Sequence, residues 1–253
     1  MTKSNATVAQ YFVAERVASS GHLYTDGREL DSYVTAIAYR TSNDQILLNS
    51  DHYSVSTSRH QSEAWFACHS MLRPGYYAEV SFSALRRAKR GGIHDVQILD
   101  VRDDSALLKV PGDATIGDRY LLSDVDRITS RARNPQRFLC ELCRPCVSIA
   151  DAYDSLVPDA VRTEQEKGTE VLRQGDWYFA ATKFRFPRIQ GSATPIANGS
   201  QHFAHYSHLL DTVMYVSGTV KHPEHRMLRL GNRWWWPVKN TAIASWSSGG
   251  SAD

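Results

Sequence analysis

Five of the ten histidines in this chain fall in one short window: His202, His205, His208, His222 and His225. Even spreading would place about one there. Neutral imidazole is the commonest protein metal ligand. Zinc sites often use three protein ligands and keep a fourth position for water. His222 and His225 bracket Pro223-Glu224, a turn-like pair that can hold two rings side by side. Glu224 or Asp211 could then orient a ligand or act as base toward a bound water. A second reading makes these histidines ordinary half-buried polar residues. In a strand, His202 and His208 share one face while His205 takes the other, so "HFAHYSH" converges only if the backbone bends. The spacing also lacks the tightness of H-E-x-x-H.

Three cysteines, Cys140, Cys143 and Cys146, have the C-x2-C-x2-C spacing of iron–sulfur runs. A fourth ligand would have to come from Cys68 or His69. Read as helix, the same segment places Cys140 and Cys143 on a buried stripe with Leu139 and Leu142, an ordinary place for cysteine. "YSVSTSRHQ" sets hydroxyls beside His60 but offers neither a nucleophile elbow nor a third member.

A different chemistry is possible in "KHPEHRMLRLGNRWWWPVKN" (221–240). In a strand, Trp234 and Trp236 share one face and Trp235 takes the other. An exposed Trp235 beside Arg226, Arg229, Arg233 and Lys239 would suit base stacking and phosphate contact. The alternative is that both faces are packed, with an arginine stacked over an indole. "RRAKRGG" carries Arg86, Arg87, Lys89 and Arg90, the densest basic run, which reads as a phosphate-contacting loop or as a solvated helix end.

The elements that must position these groups follow from patterning. The 253 residues are 42% apolar and 22% charged, which fits one large or two small globular domains. No apolar run is long enough for a membrane helix, and the opening residues show no secretory signal. Few, clustered cysteines make a poor disulfide framework, so a reducing cytosol is expected. Residues 171–253 hold 9 Lys+Arg and 4 Asp+Glu, a balance of +5; the other 170 hold 20 and 23, a balance of −3. That asymmetry is compatible with a polyanionic partner.

"SYVTAIAYR" and "QILLNSDHYSVSTS" read as strands around a turn at Asn43-Asp44. "RHQSEAWFACHSML" reads as a short helix ending near Pro74-Gly75. "YYAEVSFSALRRA" reads as a strand, alone or running into a helix. "HDVQILDVR" and "ALLKV" are strands around Asp103-Asp104. Asn134-Pro135 looks like a helix start, continued by "QRFLCELC". "VSIADAYDSLV" and "PDAVRTEQEKG" follow as helices, the last stopped by Gly168. Beyond that the chain is β-rich. The expected fold is α+β: an N-terminal mixed unit with antiparallel strands (1–130), a helical connector (131–168), a small antiparallel β-domain (169–246) and a tail (247–253).

"VLRQGDWYFAAT", "HFAH", "YVSGTVKHPEHRMLRLG" and "VKNTAIASW" together resemble a module of uncharacterised phage and mobile-element proteins. The matching positions are Arg173, Gln174, Gly175, Asp176, His202, Gly218, Val220, His222, Pro223, His225, Asn240 and Thr241. "SYVTAIA" and "YSVSTSRHQ" resemble the N-terminal part of such proteins. The chain departs from the pattern at Trp235-Trp236-Pro237. The resemblance implies a viral or plasmid origin, the host cytoplasm, and use of His202, His222 and His225 as a set. It carries no activity.

Three functions are therefore expected, in this order. The first is an accessory protein that binds nucleic acid, which needs the fewest residues to converge. The second is a metal-binding module, holding zinc or another divalent ion at His202, His222 and His225, with a hydrolytic or structural role. The third is a non-catalytic or virion-associated interaction module with a protein partner or a second copy of itself.

Overall fold

The computed structural model describes residues 3–89, 95–112, 117–125, 137–188 and 193–247. The first helix, α1 (Asn5–Val13), starts where the Ser4 hydroxyl accepts the Thr7 N–H. Five strands follow: β1 (Ala18–Ser20), β2 (Leu23–Thr25), β3 (Glu29–Ser32), β4 (Thr35–Arg40) and β5 (Ile46–Asn49). Helix α2 (Val55–Met71) then crosses to β6 (Tyr77–Val80), and α3 (Phe82–Lys89) comes next. The six strands form one sheet in chain order, antiparallel except for the β5–β6 pair that α2 connects.

β4 and β5 lie in the middle of this sheet and are buried on both faces. Ile37, Ala38, Ile46 and Leu48 pack toward α1 and α2. Tyr39 and Leu47 join Val80, Phe82, Leu85, Leu108 and Leu121 in a second cluster. Two-sided burial explains why "ILLN" is apolar without alternating.

A side chain from β4 also closes α1. Arg40 is 5% exposed. Its Nη2 donates to Phe12 O and Val13 O at 3.1 and 2.9 Å, its Nη1 to Asp44 O and its Nε to Gly27 O. Phe12 and Val13 belong to the last turn of α1, whose carbonyls lack helical i+4 donors; Phe12 O also takes the Glu15 N–H at 3.1 Å.

The second sheet begins with β7 (Gln97–Arg102), β8 (Ser105–Val110), β9 (Arg119–Val125) and β10 (Arg137–Glu141). Here the structure differs from expectation: Arg137–Glu141 is a strand paired with β9, not a continuation of a helix. Asn134 and Pro135 lie outside the described residues. The helices of the connector are α4 (Ile149–Ser155) and α5 (Asp159–Glu166), the latter followed by Gly168 at φ +76°.

The third sheet is the site's scaffold. It comprises β11 (Val171–Gln174), β12 (Trp177–Ala181), β13 (Thr194–Pro195), β14 (Phe203–Leu210), β15 (Val213–Lys221) and β16 (Leu228–Lys239), in the order β11-β12-β16-β15-β14-β13. Trp177, Phe179, Val216, Val220, Leu230 and Trp235 form its core.

The last strand, β17 (Ala244–Ser247), does not extend that sheet. It pairs antiparallel with β10, placing Phe138 opposite Ser247 and Glu141 opposite Ala244. The chain thus divides into two compact units, with 154–242 inserted into the other. The inserted unit is tied at its doorway. Thr241 donates its N–H to Leu156 O at 3.3 Å and its hydroxyl to Ser155 O. The fold is α+β with three mostly antiparallel sheets, and among the described residues no helix is long and apolar enough to cross a membrane.

Candidate metal centre

The β14–β15 pairing sets Phe203 opposite Lys221 and Ala204 opposite Val220. One step further, the same register puts His202 opposite His222. His225 follows across the Pro223-Glu224 turn that leads into β16. Ring centroids are 4.3 Å apart for His202 and His222, 4.4 Å for His222 and His225, and 5.7 Å for His202 and His225. One ring nitrogen from each lies within 4.8 Å of the others. His202 and His222 are buried and His225 is half-buried. Strand register brings His202 to the pair that the Pro223-Glu224 turn already holds together.

His202 is the unusual member. It is 1% exposed, and neither of its ring nitrogens makes a well-formed hydrogen bond, although the Gln174 backbone lies near enough to favour the protonated ring slightly. A buried polar atom left this way needs an explanation, an ion or a water among them. Burial first, then repulsion from His222 and His225, pushes the His202 pKa down to about 3. His222 Nδ1 accepts the Glu224 N–H at 3.1 Å.

The low pKa predicts a pH response of the apo-protein. Above pH 6.5 the ring is neutral both folded and unfolded, and costs nothing. Below 6.5 the unfolded chain takes up a proton that the folded chain refuses, so stability falls progressively toward pH 3. At pH 5 the loss from His202 alone should be about 2 kcal/mol. Urea denaturation at pH 7 and 5, in chelator, measures it. His202→Gln should flatten the difference; an equal loss in the variant would assign it to other groups.

A corner of the sheet closes over the rings. Gly175, between β11 and β12, has φ +58°, and a Cβ there would stand 2.5 Å from His225 Nε2. Beside it, Gln174 is 1% exposed and donates Nε2 to the carbonyls of Val220 and Arg226, the residues that flank the His222–His225 turn. Both residues belong to the resemblance described above, but residue type and spacing assigned them no role. Only the folded register shows what they touch.

The other histidines go elsewhere. His205 is exposed and stacks on Tyr206; His208 stacks on Phe186 at 4.0 Å, next to Trp234. Asp211, a candidate base, sits at φ +56° in the hairpin at the far end of β14 and β15, roughly 25–30 Å away by strand rise. Glu224 is adjacent, but its side chain is exposed.

The basic and aromatic residues do not form the expected stacking surface. Trp235 is 2% exposed, lies in the core and donates its indole N–H to Leu230 O. Both faces of the strand are covered: Trp235 packs in the core, and Trp234, on the other face, packs against Phe186 and His208. Arg233 pairs with Glu170 at 2.6 Å and lies over the Trp235 ring, and Lys239 pairs with Asp176 at 3.4 Å. Arg226 and Arg229 are exposed near the head of β16. Arg86 and Arg87 are exposed on α3, Lys89 ends that helix, and Arg90 lies outside the described residues.

The cysteines follow the core reading only in part, since Cys140 lies on a strand and Cys143 is not on a buried stripe with it. Cys140 and Cys146 are buried, and Cys143 is exposed. Among the described residues, the histidine trio is the one grouping close enough to hold an ion. Cys68, on α2, is buried in the cluster with α1 and the first sheet, where burial pushes its thiol up to about 12. His60 Nδ1 meets Ser32 Oγ at 2.7 Å, but Ser32 is fully buried, out of a substrate's reach.

Comparison of the chain with protein-family models, curated proteins and solved structures yields no match.

Proposed function

We propose that the inserted β-unit is a metal-binding module in which His202, His222 and His225 ligate a divalent ion of the zinc type. The observation that carries this reading is three imidazoles within 4.8 Å, one of them enclosed with neither nitrogen in a well-formed hydrogen bond. Around one tetrahedral zinc, imidazole nitrogens stand about 3.3 Å apart, so the rings must close by only an ångström or so. Imidazole donors favour zinc and its transition-metal neighbours over magnesium or calcium. The ion competes with the Glu224 amide for His222, and it finds His202 already deprotonated. Nucleic-acid contact stands behind this reading, because Trp235 is enclosed and Arg233 and Lys239 already face carboxylates.

Elemental analysis of protein purified without a histidine tag tests the proposal. Wild type should carry close to one metal per chain, and His222→Ala/His225→Ala should carry none. Zinc at a hundredfold over Kd should stabilise the stripped wild type by about 2.7 kcal/mol and leave the double variant unmoved. Wild type that neither carries metal nor gains stability from zinc, iron or manganese would make the histidines packing residues.

A further inference from the structure

Given a metal at the trio, the question becomes what occupies its fourth position. We propose that the side-chain oxygen of Gln174 does, closing the site and making the ion structural rather than hydrolytic. This rests on the metal reading above.

Both hydrogens of the Gln174 amide are engaged by carbonyls, those of Val220 and Arg226. That settles which end of the amide is oxygen, since the reverse placement would set oxygen against two carbonyl oxygens. Oε1 therefore points away from Val220 and Arg226, and it is buried with no partner. Among the described residues, five buried side-chain polar atoms lack a partner, and three of them are Gln174 Oε1 and the two His202 nitrogens. The main chain of Gln174 lies against the His202 ring, and that of Gly175 against His225. The unsatisfied oxygen is thus carried by a residue whose main chain lies against the ring with the unsatisfied nitrogens and whose amide holds both flanks of the His222–His225 turn. An ion bound there satisfies them together, and three imidazoles with one amide oxygen make a full tetrahedral set.

A clip without ligation is the rival role, because the same amide ties together the two ends of the His222–His225 turn. Gln174→Glu and Gln174→Met separate the two. Both fill the volume, and both lose the paired donation to Val220 and Arg226. Only Glu offers an oxygen, and the neutral Met thioether is a weak electron-pair donor. The measurement is zinc affinity by chelator competition. Glu should bind at least tenfold more tightly than Met, and cobalt-loaded wild type should show no visible spectral change with azide, whereas cobalt-loaded Met should. Equal zinc affinities for Glu and Met, or azide binding by wild type, would overturn the proposal while leaving the metal reading intact. Wild type without affinity for zinc or cobalt would remove both.

Discussion

Arg40→Met should cost the first unit about 3–5 kcal/mol, the range for stranding buried partners of a charged side chain. Met fills the channel along β4 but donates nothing. The carbonyls of Val13, Gly27 and Asp44 would lose their guanidinium donor, and that of Phe12 would keep only the Glu15 N–H. Glu15, 3.5 Å from the guanidinium, would lose a cation but stay solvated, since it is largely exposed, and so adds little. Arg40→Lys should recover only part of the loss, because one ammonium cannot reach carbonyls on both sides of the fork. Urea denaturation measures the effect. A loss below 1 kcal/mol for Met would mean that water replaces the guanidinium at the end of α1.

The second large effect concerns the metal corner. Gly175→Ala should lower zinc affinity at least a hundredfold while costing the fold only about 1–2 kcal/mol, the price of a left-handed residue with a side chain. The new methyl would stand 2.5 Å from His225 Nε2. The nearest atom is the end of a half-buried side chain, so the ring can swing away cheaply. Swinging away removes the third ligand. Gly168→Ala is the control. Gly168 also has positive φ, at +76°, but a Cβ there meets nothing within 4 Å. It should carry the backbone cost and leave zinc affinity unchanged. Equal zinc affinity in Gly175→Ala and wild type would mean that His225 does not ligate.

Much of the first unit was legible because its turns are chemically explicit. Asp44 and Asp103 sit at positive φ, as the Asn43-Asp44 and Asp103-Asp104 turns suggested. The stop at Gly168, in the inserted unit, was legible for a similar reason, while the step from strand to helix at Val80–Phe82 was one of two open readings. β10 was not. "RFLCE" offers two adjacent buried residues, Leu139 and Cys140, and the Asn134-Pro135 pair ahead of it imitates a helix start. Its strand state depends on pairing with β9 and with β17, the latter about a hundred residues away. α2 starts at Val55, earlier than expected, since Ser54 caps it and hydroxyl-rich residues form its first turn. The adjacency of His222 and His225 was readable across a two-residue gap. The place of His202 needed the β14–β15 register, and that of Gln174 needed the fold of the whole unit.

The late return of β17 has a consequence for biosynthesis. Glu141 and its partner Ala244 are 103 positions apart (244 − 141). At ordinary elongation rates, roughly 5–20 residues per second, β10 waits about 5–20 seconds for that neighbour. During the wait its outer edge is an open template for another strand. Meanwhile every strand of the inserted unit has already been made. Its doorway bonds at Ser155, Leu156 and Thr241 form within its own length, so it can fold before the unit that contains it is complete. The order of maturation is then inside first, and the exposed edge of β10 is where a nascent chain meets its neighbours.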